Sequence, residues 1–349
     1  MRFAVIGAGH GGQALAGYLA YLGYDTTLHN RTASVLTGIA RNDGIDLSGY
    51  INGKAKNITL AEDVGAALAN SDVILVSVPA NAHKDIARRI AKWVRDSHTI
   101  ILTPGRTLGA YFFAKYLKEF GCQQQPVIAE TDTFILTSRK IADGKSNIMS
   151  LKKVFYVAAD SKENTNAVRD ILAEPFPMVQ AADSCIYTSL ANVGSIFHPL
   201  PAIFNIGRIE NREKYLHYKQ GITPSICHLV EKLDAERVNL AKALGVAVPN
   251  VRVWLQDVYG SHGDSLYQAL QNTAAYNEVI APTEISTRYI YEDITTGIVP
   301  MYCMAKQLGT PHKILELIIN VATEMFDYDF LLQGRSDVNA FLQERLKCL

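Results

Sequence analysis

Arg2-Phe3-Ala4-Val5-Ile6-Gly7-Ala8-Gly9-His10-Gly11-Gly12 opens the chain, and its reading decides the fold. The apolar run Phe3 to Ile6 is a buried strand that passes without a spacer into a Gly-x-Gly-x-x-Gly turn. Gly7 allows the tight turn, Gly9 leaves room for a pyrophosphate against the backbone, and Gly12 lets the next helix close on the strand. His10 and Gly11 complete the cofactor-binding loop, and the following helix aims its free N–H groups and positive dipole end at the pyrophosphate. The helix carries Ala14, Leu15, Tyr18, Leu19 and Leu22 and stops at Gly23. A glycine-rich turn alone says little. One that ends a strand and opens an apolar helix points to a bound dinucleotide.

The next strand, Asp25-Thr26-Thr27-Leu28-His29, ends in Asn30-Arg31-Thr32, where a ribose-reading residue belongs. NAD sites place an Asp or Glu there to accept from the ribose 2′-OH. A carboxylate would repel a 2′-phosphate, whereas a guanidinium takes it through two parallel charge-assisted bonds. The expected cofactor is therefore NADP(H), with NAD(H) as the alternative. The plain alternative for Arg31 is a solvated arginine at a strand end.

Length and composition set bounds. With 349 residues and 48% hydrophobic composition, the chain suits one or two globular domains with full cores. A formal net charge of zero leaves no electrostatic footprint for nucleic acid or an anionic membrane. Cys122, Cys185, Cys227, Cys303 and Cys348 are widely spaced, with no CxxC and an odd total. That pattern fits a reducing, cytoplasmic setting and argues against a disulfide frame or a metal site. The first apolar run is too short for a signal peptide, and no segment approaches a membrane span.

Strand and helix alternate through the first half. Strands are expected at 57–60, 72–78, 99–102, 127–129, 134–139, 147–158 and 178–179, and helices near 62–69, 108–119 and 164–172, with another after Pro79-Ala80-Asn81 through Ile86, Ile90 and Trp93. This succession predicts an α/β fold, a doubly wound Rossmann-type sheet with ligands outside the carboxyl ends of its strands. Val78-Pro79 and Pro104-Gly105 sit at two such ends, so both loops should touch the cofactor. From Ser184 the spacing turns helical, at 185–210, 224–244, 250–260, 297–308, 311–326 and from 337. Thr223-Pro224 and Thr310-Pro311 read as helix caps followed by a first-turn proline, and Gly245 and Gly309 as helix stops. The expected division is a dinucleotide-binding domain over 1–183 and an all-helical substrate domain over 184–349, with the active site in the cleft between them. The apolar helix at 311–326 could supply a homodimer face as readily as a core.

Two segments of the helical half carry chemistry. In Asn192-Val193-Gly194-Ser195-Ile196-Phe197-His198-Pro199, apolar neighbours could tune an imidazole already near neutrality. A histidine in such a stretch is also commonly a satisfied core residue. In Arg288-Tyr289-Ile290-Tyr291-Glu292-Asp293, an aspartate accepting from one imidazole nitrogen would fix the tautomer and stabilise the cation. Arg288 could clamp a substrate carboxylate, or form a surface salt bridge with Glu284 or Glu292.

Taken in order, these residues resemble the opine dehydrogenases of the octopine and nopaline type, over essentially the whole chain. The resemblance rests on the early glycine fingerprint, Thr103-Pro104-Gly105-Arg106-Thr107 with Gly109-Ala110, and Glu130-Thr131. It continues through Asn192 to Pro199 and Arg288 to Asp293, and ends at Gly334-Arg335. It implies a dinucleotide domain joined to a helical one. The activity it implies is reductive condensation of an amino acid amine with a 2-oxo acid through an imine, giving a secondary-amine dicarboxylate. By the resemblance His198 is the catalytic acid/base, Asp293 its partner, and Arg288 a substrate-binding arginine. Asn192 is a further substrate-binding candidate, and because two carboxylated substrates need cations, Arg139 is a weaker second to Arg288. The chain departs from the family at Asp132-Thr133-Phe134-Ile135, which lacks a Pro-Tyr pair often found there and so bears on substrate identity.

Ketopantoate-type reductases, 3-hydroxyacid dehydrogenases and glycerol-3-phosphate-type dehydrogenases look to a lysine on the first helices of the second domain. None occurs here between Lys162 and Lys214. A 2-oxo acid reductase that uses the same His198 and Asp293 pair needs no amine, which separates it from the first reading. An NADP redox sensor would need none of His198, Asp293 and Arg288.

Overall fold

The computed structural model describes residues 1–347, which form two compact units, Met1–Thr188 and Ser189 onward. Thr188, at the end of the first unit, donates its hydroxyl to the buried Glu130 at 2.8 Å.

Strands of the first unit are β1 (Arg2–Ile6), β2 (Asp25–His29), β3 (Ile45–Gly49), β4 (Gly53–Ala55), β5 (Ile58–Ala61), β6 (Val73–Val76), β7 (Thr99–Leu102), β8 (Val127–Thr131), β9 (Leu136–Ala142), β10 (Lys145–Leu151), β11 (Phe155–Ala159) and β12 (Val179–Ala181). The main sheet has the order β12-β11-β8-β7-β6-β1-β2-β5. From β8 to β5 it is parallel, and β11 pairs antiparallel with β8. β6 is buried throughout and β1 from Phe3 onward, as parallel strands covered on both faces must be. The strand order reverses between β1 and β6, so Gly7 and Ser77-Val78 flank the crevice where such sheets bind ligands.

A second sheet, β4-β3-β10-β9, covers the helix His10–Tyr21. The stretch 147–158, expected as one strand, splits at Lys152-Lys153 and sends β10 and β11 to different sheets. β3 and β4 have no counterpart in the sequence reading. Only Ile45, Leu47 and Ala55 of these strands are buried, too few to establish a period of two. Gln13, on the covered helix, is fully buried and closes the β9–β10 turn. Its amide donates to Ala142 O (3.0 Å) and Ser146 Oγ (2.9 Å) and accepts from Gly144 N (3.1 Å).

The second unit is helical. The expected run over 185–210 begins in the first unit and breaks into Cys185–Ala191, which passes the boundary at Thr188, then Gly194–Phe197, Pro199–Phe204 and Ile206–Glu210. Pro199 and Pro201 cannot donate to a continuous ladder. Asn205 leaves helical geometry and bonds Pro201 O and Gly221 O instead. The helix expected from 297 begins earlier, as Arg288–Asp293, passes through a π-helical turn, Ile294–Ile298, and continues as Val299–Leu308. Gly309 stops it in the left-handed region at φ 66°. Thr223 and Pro224 do open the long helix Pro224–Ala243. Thr310 does not cap the next one, Lys313–Phe326, because the buried Glu236 carboxylate accepts from Ile314 N (2.9 Å) and Leu315 N (3.0 Å).

Cys122, Cys185, Cys227 and Cys303 are free thiols, and Cys348 lies outside the described residues. Among the described residues no helix is long and apolar enough to cross a membrane.

Candidate active site

In the first unit, the three fingerprint glycines answer to different constraints. Gly7 sits at φ +106°, and a Cβ there would lie 2.5 Å from Ser77 O. A Cβ on Gly12 would lie 1.9 Å from Gly7 O. The protein's own backbone therefore dictates both. Around Gly9 nothing lies within 4 Å of a Cβ position, so this space is open to a ligand. Gly9 also precedes the first turn of the helix His10–Tyr21 and supplies no side-chain cap, so the positive end of the helix dipole begins at this space. Loop, open space and uncapped helix together fit a dinucleotide pyrophosphate.

The residues around the loop divide into braces and exposed groups. His10 accepts from Lys140 N through Nδ1 (2.9 Å), and its carbonyl accepts from the Ser138 hydroxyl (3.0 Å), tying the loop to β9. A Cβ on Gly11 would meet the Phe134 ring at 2.1 Å. The segment that departs from the family pattern thus covers the dinucleotide loop. Asn30 accepts from Ala8 N (3.0 Å) and donates to Thr32 O (3.1 Å), which fixes its amide against the turn. Thr32 begins the helix Ala33–Arg41. The Arg31 side chain is 72% exposed and stands 3.9 Å from Asp85, which Arg88 and Arg89 already hold.

Behind Gly7 stands Val78, followed by Pro79, which opens a short turn at Ala80. Pro104 and Gly105 follow β7, and Gly105 N donates to Thr131 O at 3.2 Å. The fully buried Glu130 accepts from Ala110 N (2.7 Å) at the start of the helix Gly109–Glu119. That role has no local sequence signature. Burial pushes the Asp132 carboxyl up to about 7, against the Tyr156 N–H it accepts at 2.9 Å. Arg139 is exposed on β9, opposite Asn147.

In the second unit, His198 lies between the helices Gly194–Phe197 and Pro199–Phe204, and Asp293 ends the helix Arg288–Asp293. Nδ1 of His198 is 2.8 Å from Oδ2 of Asp293, whose side chain is fully buried. A carboxylate can only accept, so Nδ1 carries the proton and Nε2 is the basic nitrogen. Nε2 meets the Tyr218 hydroxyl at 3.0 Å. Tyr289 stacks on the imidazole with centroids 4.1 Å apart and planes 9° from parallel. On the same helix, Arg288 pairs its Nε with Glu292 (3.2 Å) while 57% of its side chain stays exposed. Asn192 accepts from Gly194 N at 3.2 Å. Asn192, His198, Arg288 and Asp293 therefore share the second unit, and Arg139 belongs to the first. The sequence reading missed Tyr218 and His217 and gave Tyr289 no role. The aromatic density of Tyr215-Leu216-His217-Tyr218 was the available signal.

His217 is buried, and its pKa is lowered from 6.5 to about 3, chiefly by burial and then by the charge of His198. Its Nε2 donates to Phe197 O at 3.0 Å. Between those two pH values the unfolded chain binds a proton that the folded one refuses. Stability contributed by neutral His217 should thus be lost as pH falls from about 6.5 toward 3, by up to about 1.4 kcal/mol per pH unit. His217→Gln should flatten this limb in acid-dependent urea unfolding read by Trp254. An unchanged slope would exclude His217 as its source.

A family model for the NAD/NADP octopine/nopaline dehydrogenase alpha-helical domain matches residues 181–326. One for the NAD-dependent glycerol-3-phosphate dehydrogenase N-terminus matches residues 2–110. The opine dehydrogenase of Arthrobacter sp. (strain 1C) is 33% identical over 335 residues, covering 96% of this chain and 93% of the relative. The chain belongs to the opine dehydrogenase family. It is thereby an NAD(P)-dependent oxidoreductase acting on the CH–NH group. Solved opine dehydrogenases share the fold. Octopine dehydrogenase in complex with NADH and agmatine superposes with a TM-score of 0.79 at 19% identity, covering 97% of this chain and 93% of that one. NADP+-bound yersinopine dehydrogenase gives 0.75 at 14%, covering 100% and 99%.

Proposed function

We propose that this protein condenses the amine of an amino acid with a 2-oxo acid and reduces the resulting imine, with NADPH preferred over NADH. The observation that carries the reading is the His198–Asp293 contact, which supports a fixed tautomer with a proton-accepting Nε2. In this reading the backbone from Gly7 through Gly9, His10 and Gly11 to Gly12 holds the pyrophosphate, and Val78-Pro79 and Pro104-Gly105 line the rest of the dinucleotide site. When bound, the reduced nicotinamide supplies the hydride. His198 takes up and returns protons at Nε2 during amine addition and loss of water, and Asp293 stabilises its charged form. Arg288 binds one substrate carboxylate, Asn192 is a further substrate-binding candidate, and Arg139 is the second candidate cation.

The test is a panel of amino acids crossed with pyruvate, oxaloacetate and 2-oxoglutarate, each run with NADPH and NADH. Turnover should require both organic partners. Oxidation of NADPH by a 2-oxo acid without added amine would replace this reading with that of a simple 2-oxo acid reductase.

Cofactor preference rests on Arg31. Asn30-Arg31-Thr32 brings no carboxylate to the end of β2, and among the described residues the guanidinium's ion pair is a 3.9 Å contact with Asp85. Arg31→Ala should lower kcat/KM for NADPH by about 10- to 100-fold, the worth of a charge-assisted contact, and leave NADH nearly unchanged. Equal or better efficiency of the unaltered protein with NADH would overturn the preference.

A further inference from the structure

We infer that Tyr218 is a positioning residue for His198: its hydroxyl holds Nε2 and keeps the imidazole a neutral, aimed base until substrate arrives. The inference rests on the acid/base reading of His198.

Asp293 occupies Nδ1, so the state of Nε2 decides whether His198 can accept a proton. A phenol 3.0 Å away donates to the neutral imidazole and favours it over the cation. Tyr218 can play this part throughout the working pH range, because burial raises its own pKa well above 10 and it stays protonated.

Tyr218 is itself held rigidly. Its ring stacks on Tyr276 at 3.8 Å and 10°, and the rings of Phe197 and His217 meet it edge-on. The His198 ring is fixed by Tyr289 on one face and by His217 at 5.9 Å. The titratable and charged groups around the imidazole are Asp293, Tyr218, Tyr289 and His217, with Arg288 and Glu292 on the helix that carries Tyr289 and Asp293. Among them Asp293 favours the cation, and the Tyr218 hydroxyl offsets it at the other nitrogen.

Tyr218→Phe removes the hydroxyl and retains a ring to stack on Tyr276. The His198 titration, followed by nitrogen-15 NMR of the imidazoles and assigned with His198→Ala, should move up by roughly 0.5–1 pH unit. With NADPH, pyruvate and the amino acid giving the highest panel turnover, the basic-form limb of kcat/KM should move by the same amount. Activity lost near neutral pH should then be recovered at higher pH, which a packing defect would not do. An unmoved midpoint and limb would overturn the inference, as would a loss of activity equal at every pH. Failure of the underlying reading is separate: His198→Ala would keep its turnover, whatever Tyr218→Phe does to the titration.

Discussion

Replacing His198 with alanine should lower kcat by about 10²–10⁴-fold, the usual contribution of a positioned acid/base, while leaving dinucleotide affinity intact. Cofactor binding should survive because the glycine loop belongs to the other compact unit, where Ser77, Val78, Phe134, Asn30 and β9 brace it. Asp293→Asn keeps the side-chain shape but can present an amide N–H to Nδ1. The imidazole would then carry its proton on Nε2, the nitrogen that must accept, and a loss on the order of 10³-fold or more follows. The Asp293 variant should also destabilise the imidazolium, so its deficit should be largest in the step that charges His198. Steady-state turnover and NADPH titration by fluorescence separate the two effects. If His198→Ala retains turnover within tenfold of the unaltered protein, proton transfer is carried elsewhere. If instead NADPH affinity collapses with turnover, the variant has disturbed the fold and the assignment fails this test.

The two halves of the site were legible to very different degrees. Gly7 and Gly12 are constrained by atoms of their own turn and of the adjoining strand, so the fingerprint spells out its own geometry in a few residues. His198 and Asp293 are separated by 95 positions, and no local pattern joins them. Only resemblance to a family paired them before the distance was known. Tyr218 lies in an irregular segment without helical or strand period, where nothing marks a hydroxyl that will meet an imidazole. The same logic explains the misread helix start at Thr310. Its N–H groups are satisfied by Glu236, 78 residues earlier, so the local Thr-Pro signal was outcompeted by a distant carboxylate. Asn30 shows the converse. Its position marked it for a ribose contact, and nothing local marked the brace its amide also makes to Ala8 and Thr32. The sheet β4-β3-β10-β9 stayed hidden because β3 and β4 are short and bury few side chains, while the turn joining β9 to β10 is closed by Gln13 on a helix.

Arg237→Leu should destabilise the second unit by about 3–5 kcal/mol, the cost of leaving a buried charge without its partner. The Arg237 side chain is fully buried and that of Asp234 is 4% exposed. Both Nε (2.8 Å) and Nη2 (2.6 Å) of Arg237 reach Oδ1 of Asp234. The guanidinium also donates to Leu190 O and Pro249 O, and Asp234 accepts from Val251 N at 2.8 Å. One helix, Pro224–Ala243, thereby ties down the segment leading to Asn192 and the start of the helix Val251–Tyr259. Leucine fills part of the volume but leaves the carboxylate and two carbonyls without their donor. Against a typical total of 5–15 kcal/mol, that loss takes a large share of the stability. The chain has two tryptophans, Trp93 in the first unit and Trp254 in the second, so Trp254 fluorescence in a Trp93→Phe background reads the affected unit. Asp234→Leu combined with Arg237→Leu should cost less than the sum of the single changes, because no charge is then stranded. Strict additivity in urea unfolding would mean that the two side chains contribute only volume. Turnover per folded molecule should be unchanged in the single variant, since Arg237 acts on the frame that carries His198 and not on its proton.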